Sequence, residues 1–173
     1  MRLRTLASAA FAASVGALGL VALAPPAQAA AEQPRHCVLR LATANAPVTC
    51  YRTADEAAKD ISGRGTGSPD RLRAAEVIVA VLYSDDDYEG SRLNLIAPWG
   101  CLTSQTSDVE WWYNLHEVAG GWWNDEVESF RTYSGCRATF YQHINLQGAQ
   151  YGPRESFGDL EALNNEASSV AVT

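Results

Sequence analysis

Short apolar segments separated by turn residues dominate the chain from residue 76 to its end. The run VIVAVLY at 77–83 is short and rich in β-branched residues, which indicates a buried strand. The run SRLNLI at 91–96 alternates polar with apolar residues, which is the period of a half-buried strand. Four more strand candidates follow, with glycine, asparagine and aspartate between them: SFRTY at 129–133, RATFY at 137–141, AQYG at 149–152 and SSVAV at 168–172. Many short strands with little helical periodicity predict an all-β fold, a small β-sandwich.

Residues 36–62 carry a different pattern. The stretch HCVLRLATANAPVTCY predicts two short strands around an Asn-Ala-Pro turn. Thr53 and Glu56 form a capping box that opens a short helix. The stretch SGRGTGSPD at 62–70 has the glycine and proline content of a linker. We therefore predict a hairpin-helix unit with its linker at 30–75 and a β domain at 76–173, and both packing of the unit on the β domain and free movement on the linker remain possible.

The first residues predict export. MRLR is positively charged, a small-residue apolar run follows, and PPAQA ends in a cleavage site after Ala29. This is the pattern of a secretory signal peptide at 1–29 and predicts a secreted, extracellular protein. No later stretch approaches the roughly 20 apolar residues of a membrane helix, so we expect no membrane span.

Four cysteines remain after that cleavage, which in an exported protein indicates two disulfides. Four cysteines allow three pairings. We expect Cys37–Cys50 and Cys101–Cys136, because each pair then falls within one compositional segment.

The charge of the chain argues against nucleic-acid binding. The sequence has 13 basic and 20 acidic residues, and loss of Arg2 and Arg4 with the signal peptide changes the net charge from −7 to −9. Such an acidic protein is poorly suited to a phosphate backbone. His116 and Glu117 do not form H-E-x-x-H, and no nucleophile has a recognisable base, so the sequence predicts no enzyme.

An internal repeat organises the β domain. Tyr83, Tyr88 and Gly90 form an aromatic-x4-aromatic-x-Gly motif, which returns as Tyr141-x4-Leu146-x-Gly148. Each copy precedes a loop that begins with two Asn or Asp residues: NDEVES at 124–129, here the first Asx loop, and NNEASS at 164–169, the second Asx loop. We interpret the DDD run at 85–87 as a solvated acidic tip of the first hairpin.

This order of motifs resembles the βγ-crystallin Greek-key family, and specifically its microbial, secreted, calcium-binding type. That family carries [Tyr/Phe/Trp]-x4-[Tyr/Phe]-x-Gly and then [Asn/Asp]-[Asn/Asp]-x-x-[Ser/Thr]-Ser. The second Asx loop fits every defined position, whereas the first has Glu128 where Ser or Thr is expected. The resemblance covers about 76–173 and implies a β-sandwich of two Greek keys, at about 76–134 and 135–173.

The resemblance also implies calcium binding, with up to two ions. The implied ligand residues are those of the two loops and the residues before the hairpin glycines, each loop being completed by the hairpin of the other key: Asn124, Asp125, Glu126, Glu128, Asn164, Asn165, Glu166, Ser168, Glu89 and Gln147. Calcium prefers such oxygen ligands, and a site with mainly amide and hydroxyl oxygens should bind in the range of about 10⁻⁴–10⁻³ M.

Two other functions compete with a secreted, non-enzymatic calcium-binding role. The resemblance extends to bacterial Greek-key inhibitors of metalloproteinases. PWGCLTSQTSD at 98–108 and the tryptophan-rich insertion are therefore candidate inhibitory segments for a secreted protease. Exposed aromatic residues can also mark a recognition surface, here for an envelope glycan. The four candidates are Trp111, Trp112, Trp122 and Trp123, which alternatively form a minicore at the end of the sandwich. We expect a monomer.

Overall fold

The computed structural model describes residues 35–41, 47–63, 76–101 and 109–173. The predicted signal peptide and most of the predicted linker lie outside these ranges, as do residues 102–108 of the loop that contains Cys101. No helix in the described part of the chain is long and apolar enough to cross a membrane.

Two β-sheets form the body of the protein. The described residues form one α-helix, α1 (Ala54–Gly63), and ten strands: β1 (His36–Arg40), β2 (Val48–Tyr51), β3 (Val77–Tyr83), β4 (Arg92–Ala97), β5 (Trp111–Asn114), β6 (Ser129–Thr132), β7 (Ala138–His143), β8 (Gln147–Arg154), β9 (Ser156–Phe157) and β10 (Ser169–Val172). The first sheet has the order β2-β1-β4-β3-β6-β9, and the second has the order β5-β10-β7-β8. Neighbouring strands are antiparallel except β1 and β4, which are parallel.

Each half of the β domain contributes one strand to the sheet of the other half. In the first half, β3, β4 and β6 lie in the first sheet, whereas β5 lies in the second. In the second half, β7, β8 and β10 lie in the second sheet, whereas β9 lies in the first. Each half is therefore a Greek key whose third strand completes the sheet of the other half. The predicted Greek-key sandwich of two repeated motifs is confirmed.

The alternation of side chains along the strands places the core between the sheets. Phe130 of β6 and Phe140 of β7 face each other across it, with ring centroids 4.7 Å apart. Trp123 is the largest of the fully buried side chains. All six strand candidates of the β domain correspond to strands: β3 has the predicted bounds, and the ends of the others are shifted by at most two residues. The short strands β5 and β9 were not predicted.

Both predicted disulfides are present. Cys37–Cys50 joins β1 to β2, and Cys101–Cys136 joins the segment after β4 to the segment before β7. The second bridge closes a loop with a sequence separation of 35. In the chain-entropy description, such a loop adds roughly 3–4 kcal/mol by restricting the unfolded chain.

The hairpin-helix unit packs on the sandwich. Strand β1 pairs along its length with β4, so the first sheet continues into the hairpin. The capping box at the start of α1 is confirmed, because the Glu56 N–H donates to Thr53 Oγ1 (3.2 Å) and the Thr53 N–H donates to Glu56 Oε2 (3.3 Å). On the outer face of the first sheet, Ala57 of the helix packs in a cluster with Val38 and Ile96.

A buried ion pair connects this helix to the sheet. Arg40 of β1 is 5% exposed and donates to Asp60 of α1 (2.6 Å) and to Glu76 (3.3 Å). Removing one partner of such a group leaves a buried charge without compensation, which is more costly than losing an exposed pair. Arg40 therefore fixes the position of α1 over the sheet.

The repeated hairpin motifs have matching backbones. Both contain three residues with left-handed φ at equivalent positions: Asp87 (54°), Tyr88 (71°) and Gly90 (72°) in the first key, and Asn145 (58°), Leu146 (59°) and Gly148 (84°) in the second. In the first key, the aromatic rings of the motif pack edge to face, with the Tyr83 and Tyr88 centroids 5.7 Å apart. The Arg131 guanidinium lies 3.8 Å from the Tyr88 ring centroid, where the cation–π interaction stabilises this corner.

We expect the substitution Gly90→Ala to destabilise the protein strongly. The left-handed φ costs a residue with a Cβ about 1–2 kcal/mol. A Cβ at Gly90 would also lie 2.5 Å from Ser84 Oγ, and overpacking adds about 1–3 kcal/mol. Gly120→Ala is the matched control, because Gly120 has φ 70° but no atom within 4 Å of its Cβ position. If urea unfolding showed the same loss in free energy of unfolding for both variants, this explanation would be contradicted.

Stability should also depend on His36 at mildly acidic pH. This side chain is 9% exposed, its Nδ1 has no hydrogen-bond partner, and burial, followed by the positive charge of Arg92, lowers its pKa from the ordinary value of 6.5. The unfolded chain therefore takes up a proton more readily. The contribution of His36 is fully present above pH 6.5 and is lost as pH falls through the lowered pKa. In urea unfolding between pH 7 and 5, His36→Gln should show a shallower loss of stability than the parent, and parallel slopes would contradict this.

Candidate metal sites at the paired Asx loops

The two Asx loops bind each other through their backbones. The Asp125 N–H in the first loop donates to Ala167 O in the second (3.1 Å), and the Asn165 N–H in the second donates to Val127 O in the first (3.1 Å). These bonds are equivalent under the repeat, since Asp125 and Asn165 each occupy the second position of their loop. The loops of the two keys thus meet in one reciprocal arrangement.

The side chains cross between the loops in the same way. Ser168 Oγ, at the fifth position of the second loop, lies 3.1 Å from Asp125 Oδ1. Glu128, at the fifth position of the first loop, accepts a hydrogen bond from Asn165 Nδ2 (2.7 Å). The fifth residue of each loop therefore faces the second residue of the other, and the departure at Glu128 affects the pair with Asn165. The pair of Asp125 and Ser168 matches the family motif at both positions.

The backbone explains why the second position is Asn or Asp. Asp125 has φ 56° and Asn165 has φ 55°, so both lie in the left-handed region. Asn and Asp enter this region more readily than other residues with a Cβ, because their short polar side chains can form local hydrogen bonds. The motif thus specifies a turn as well as an oxygen atom.

The sixth residue of each loop bonds the backbone of a hairpin. Ser129 Oγ donates to Asp85 O (2.6 Å) and accepts the Tyr88 N–H (3.0 Å). Ser169 Oγ donates to His143 O (2.6 Å) and accepts the Leu146 N–H (3.1 Å). Each serine is fully buried and fixes the folded hairpin of its own key. The signal in the sequence is the serine that ends both loops.

The remaining predicted ligand residues lie around these pairs. Asn124 Nδ2 donates to Asp125 Oδ2 (2.6 Å), and Gln142 Nε2 donates to Glu166 Oε2 (3.1 Å). Glu126 is partly exposed in the first loop. The Glu89 N–H bonds Asp86 O in its own hairpin, and Gln147 pairs with His143 in the β7–β8 hairpin. These contacts of Glu89 and Gln147 are with their own hairpins rather than with an Asx loop.

One contact does join the first hairpin to the second Asx loop. Asn164 Nδ2 donates to Asp86 Oδ1 (3.2 Å) and to Asp159 Oδ1 (3.1 Å). The acidic residues of the hairpin tip are exposed as predicted, but the tip is anchored to the other key. Its Asp87 N–H also donates to Gly158 O (2.9 Å).

The donor chemistry of the paired loops suits a hard cation. One pair combines the Asp125 carboxylate with the Ser168 hydroxyl, and the other combines the Asn165 amide with the Glu128 carboxylate. Calcium takes such oxygens together with backbone carbonyls and water. Within the described ranges, no three or more His, Cys, Asp or Glu residues are grouped to hold a metal ion. A site here would therefore rely on amide, hydroxyl and backbone oxygens beside a single carboxylate.

The four predicted tryptophans divide between core and surface. Trp123 is fully buried, Trp111 and Trp122 are partly buried against the core, and Trp112 on the edge strand β5 is 49% exposed. Trp99 was not among these four candidates, but it is 59% exposed. Its ring centroid lies 6.0 Å from that of Trp111. Trp99 belongs to the loop considered for protease inhibition, of which residues 102–108 lie outside the described residues.

Comparisons with known proteins found similarity in structure only. No protein-family model matches the sequence, and no curated protein matches it. The N-terminal domain of protein S is 23% identical with a TM-score of 0.42, over 55% of this chain and 94% of its own. A βγ-crystallin domain from Flavobacterium johnsoniae is 25% identical with a TM-score of 0.40, over 55% and 93%.

Two further solved structures cover a similar share of the chain. Hahellin is 28% identical with a TM-score of 0.41, over 56% of this chain and 92% of its own. A clostrillin double mutant, solved in complex with nickel, is 19% identical with a TM-score of 0.43, over 56% and 98%. Several βγ-crystallin domains are thus similar to about 55% of this chain.

Proposed function

We propose that this chain is a secreted, non-enzymatic calcium-binding protein of βγ-crystallin type. The observation that carries the proposal is the reciprocal pairing of the Asx loops, in which Asp125 faces Ser168 and Glu128 faces Asn165. These four side chains, with neighbouring backbone carbonyls, would hold the ions. Secretion is supported by the N-terminal sequence, with its charged start, apolar run and cleavage site after Ala29.

The role of the metal in this proposal is to stabilise the sandwich. A bound calcium ion supplies positive charge between two loops that belong to different keys. Because the pairs exist only when both keys are folded, an ion held by them favours the folded state by mass action. The two disulfides act in the same direction, so the protein is suited to conditions outside the cell.

The two pairs should differ in affinity. In the first, Asp125 offers a carboxylate to an ion that Ser168 can approach with a hydroxyl lone pair. In the second, the Asn165 amide donates its hydrogen to Glu128, so its oxygen would have to turn toward the ion before it could bind. Glu128 is also longer than serine. We propose that the pair of Asp125 and Ser168 is the stronger site.

Calcium should raise the melting temperature. With a dissociation constant of about 0.1–1 mM, as in extracellular modules, 5 mM calcium adds roughly 1–2 kcal/mol. For a domain of this size, this corresponds to an increase of about 3–9 °C over protein in EDTA. Asp125→Ala should remove most of the increase, whereas Glu155→Gln, at a side chain that is 79% exposed, should retain it. An unchanged melting temperature in calcium, together with no heat in calorimetry, would refute the proposal.

Glu128→Ser should strengthen the second site. The substitution restores the family motif and frees the Asn165 amide from the carboxylate that it now contacts. Calorimetry should then show a second binding event, or a several-fold tighter one than in the parent, while the site of Asp125 changes little. The control is Glu155→Gln, which removes an exposed carboxylate outside the Asx loops and should leave calcium binding as in the parent. Weaker total binding in Glu128→Ser would contradict this prediction, because it would show that the Glu128 carboxylate serves the ion better than a serine hydroxyl does.

A further inference from the structure

A groove lies beside α1 on the outer face of the first sheet. The helix contacts the sheet through Ala57, and next to this contact a cavity of about 190 Å³ opens toward β3 and β4. The helix contributes one wall of the groove through Ala54, Ala58, Ile61 and Ser62. The strands contribute the other side through Ile78, Arg92 and Asn94. None of these residues belongs to the Asx loops.

Most of the groove surface is apolar. Ala54, Ala58 and Ile61 follow one another at intervals of four and three residues, which places them on one face of the helix. Ile61 and Ile78 are only partly buried by the cluster of Val38, Ala57 and Ile96. Part of this aliphatic surface therefore remains accessible, and an apolar group that entered the groove would remove it from water.

Arg92 gives the groove a positive charge. Its guanidinium lies 5.7 Å from the centroid of the Tyr83 ring, and the residue is exposed. Among the residues that the structure describes, no carboxylate forms an ion pair with it, in contrast to Arg40, which pairs with Asp60 and Glu76. Arg92 lines the apolar groove directly, so its charge is presented to any group that enters there. Charge complementarity there favours an anion.

A second polar group without a partner lies next to Arg92. The register of β1 and β4 aligns Cys37 with Leu93, whose side chains both point into the core. His36 and Arg92 precede these residues, so they lie side by side on the outer face. The buried His36 Nδ1 has no hydrogen-bond partner. His36 does not line the groove itself, so it senses charge there through its neighbour Arg92.

We propose that the groove binds a small aliphatic carboxylate, with its carboxylate at Arg92 and its hydrocarbon chain along Ala54, Ala58, Ile61 and Ile78. A guanidinium recognises a carboxylate through two parallel hydrogen bonds. At about 30 Å³ for each water-sized group, 190 Å³ holds roughly six such groups. This size fits a fatty acid of medium length, with its carboxylate at the mouth of the groove.

Octanoate is a suitable probe, and binding to the purified protein can be followed by calorimetry. Arg92→Gln should weaken octanoate binding at least tenfold, because the carboxylate loses its counter-charge. Arg137→Gln is the matched control, since Arg137 is an exposed arginine outside the groove whose guanidinium lies 3.8 Å from Glu155, and this variant should bind octanoate as the parent does. Octanol and acetate, which lack the charge and the chain respectively, should each bind at least tenfold more weakly than octanoate.

A second variant tests the apolar wall without disturbing the core. Ala58 is exposed on α1, so Ala58→Phe should fold normally while its ring fills the groove and abolishes octanoate binding. In the parent, nuclear magnetic resonance titration of His36 gives an independent readout. A carboxylate at Arg92 offsets the positive charge that lowers the His36 pKa, so octanoate should raise this pKa and acetate should not.

The outcomes separate this proposal from the calcium proposal. Octanoate binding should be the same in EDTA and in 5 mM calcium, and it should persist in Asp125→Ala. Equal binding to the parent, Arg92→Gln and Ala58→Phe would overturn the assignment of the groove. Absence of saturable octanoate binding to the parent would also overturn the proposal. Occupation of the groove by residues 64–75 or by a second copy of the chain would give this result.

Discussion

Each Asx loop obtains its main partner from the other Greek key. The backbone bonds from Asp125 to Ala167 and from Asn165 to Val127 join the loops, and the side chains of the second and fifth positions cross in the same sense. The exchange of β5 and β9 between the sheets imposes this arrangement, because the third strand of each key leads the chain across to the other sheet. Neither key can complete its sheet or its loop alone. Folding of the two keys is therefore one cooperative event.

The serines that end the two Asx loops show how one motif can serve the fold and the proposed metal site together. Ser129 and Ser169 fix the hairpins within each key, whereas the preceding residues of the same loops face the other key. A loop six residues long thus holds its own hairpin at one end and meets its counterpart in the middle. Serine is therefore specified at the last position because its hydroxyl bonds the hairpin backbone, both as donor and as acceptor.

The sequence was sufficient to predict the repeated part of the fold. The alternation of polar and apolar residues identified strands such as β4. The two copies of the hairpin motif and of the Asx loop identified the two Greek keys. Strand β5 was missed because Trp111–Asn114 has no polar-apolar alternation, and β9 because two residues carry too little pattern. The two disulfide pairings could be predicted because each pair of cysteines lies within one compositional segment.

The candidate site was predictable only in part. Its residues could be named from the motif, but the pairing of Asp125 with Ser168 depends on which strands are exchanged, and no local pattern encodes that exchange. The groove at Arg92 depends on where α1 lies over the sheet. That position is set by the contacts of Ala57 and Arg40 with residues distant in sequence.

The parallel pairing of β1 with β4 changes which strand lies at the border of the first sheet. Without the hairpin, β4 would present its backbone N–H and C=O groups to other chains, as an open template for aggregation. With it, β1 is buried along its whole length, and the shorter β2 takes the border position. β1 precedes β4 in the chain, so the edge of β1 that faces away from β2 can pair only after β4 has been synthesised. A chain truncated before β3 would retain both Greek keys but leave the edge of β4 unpaired.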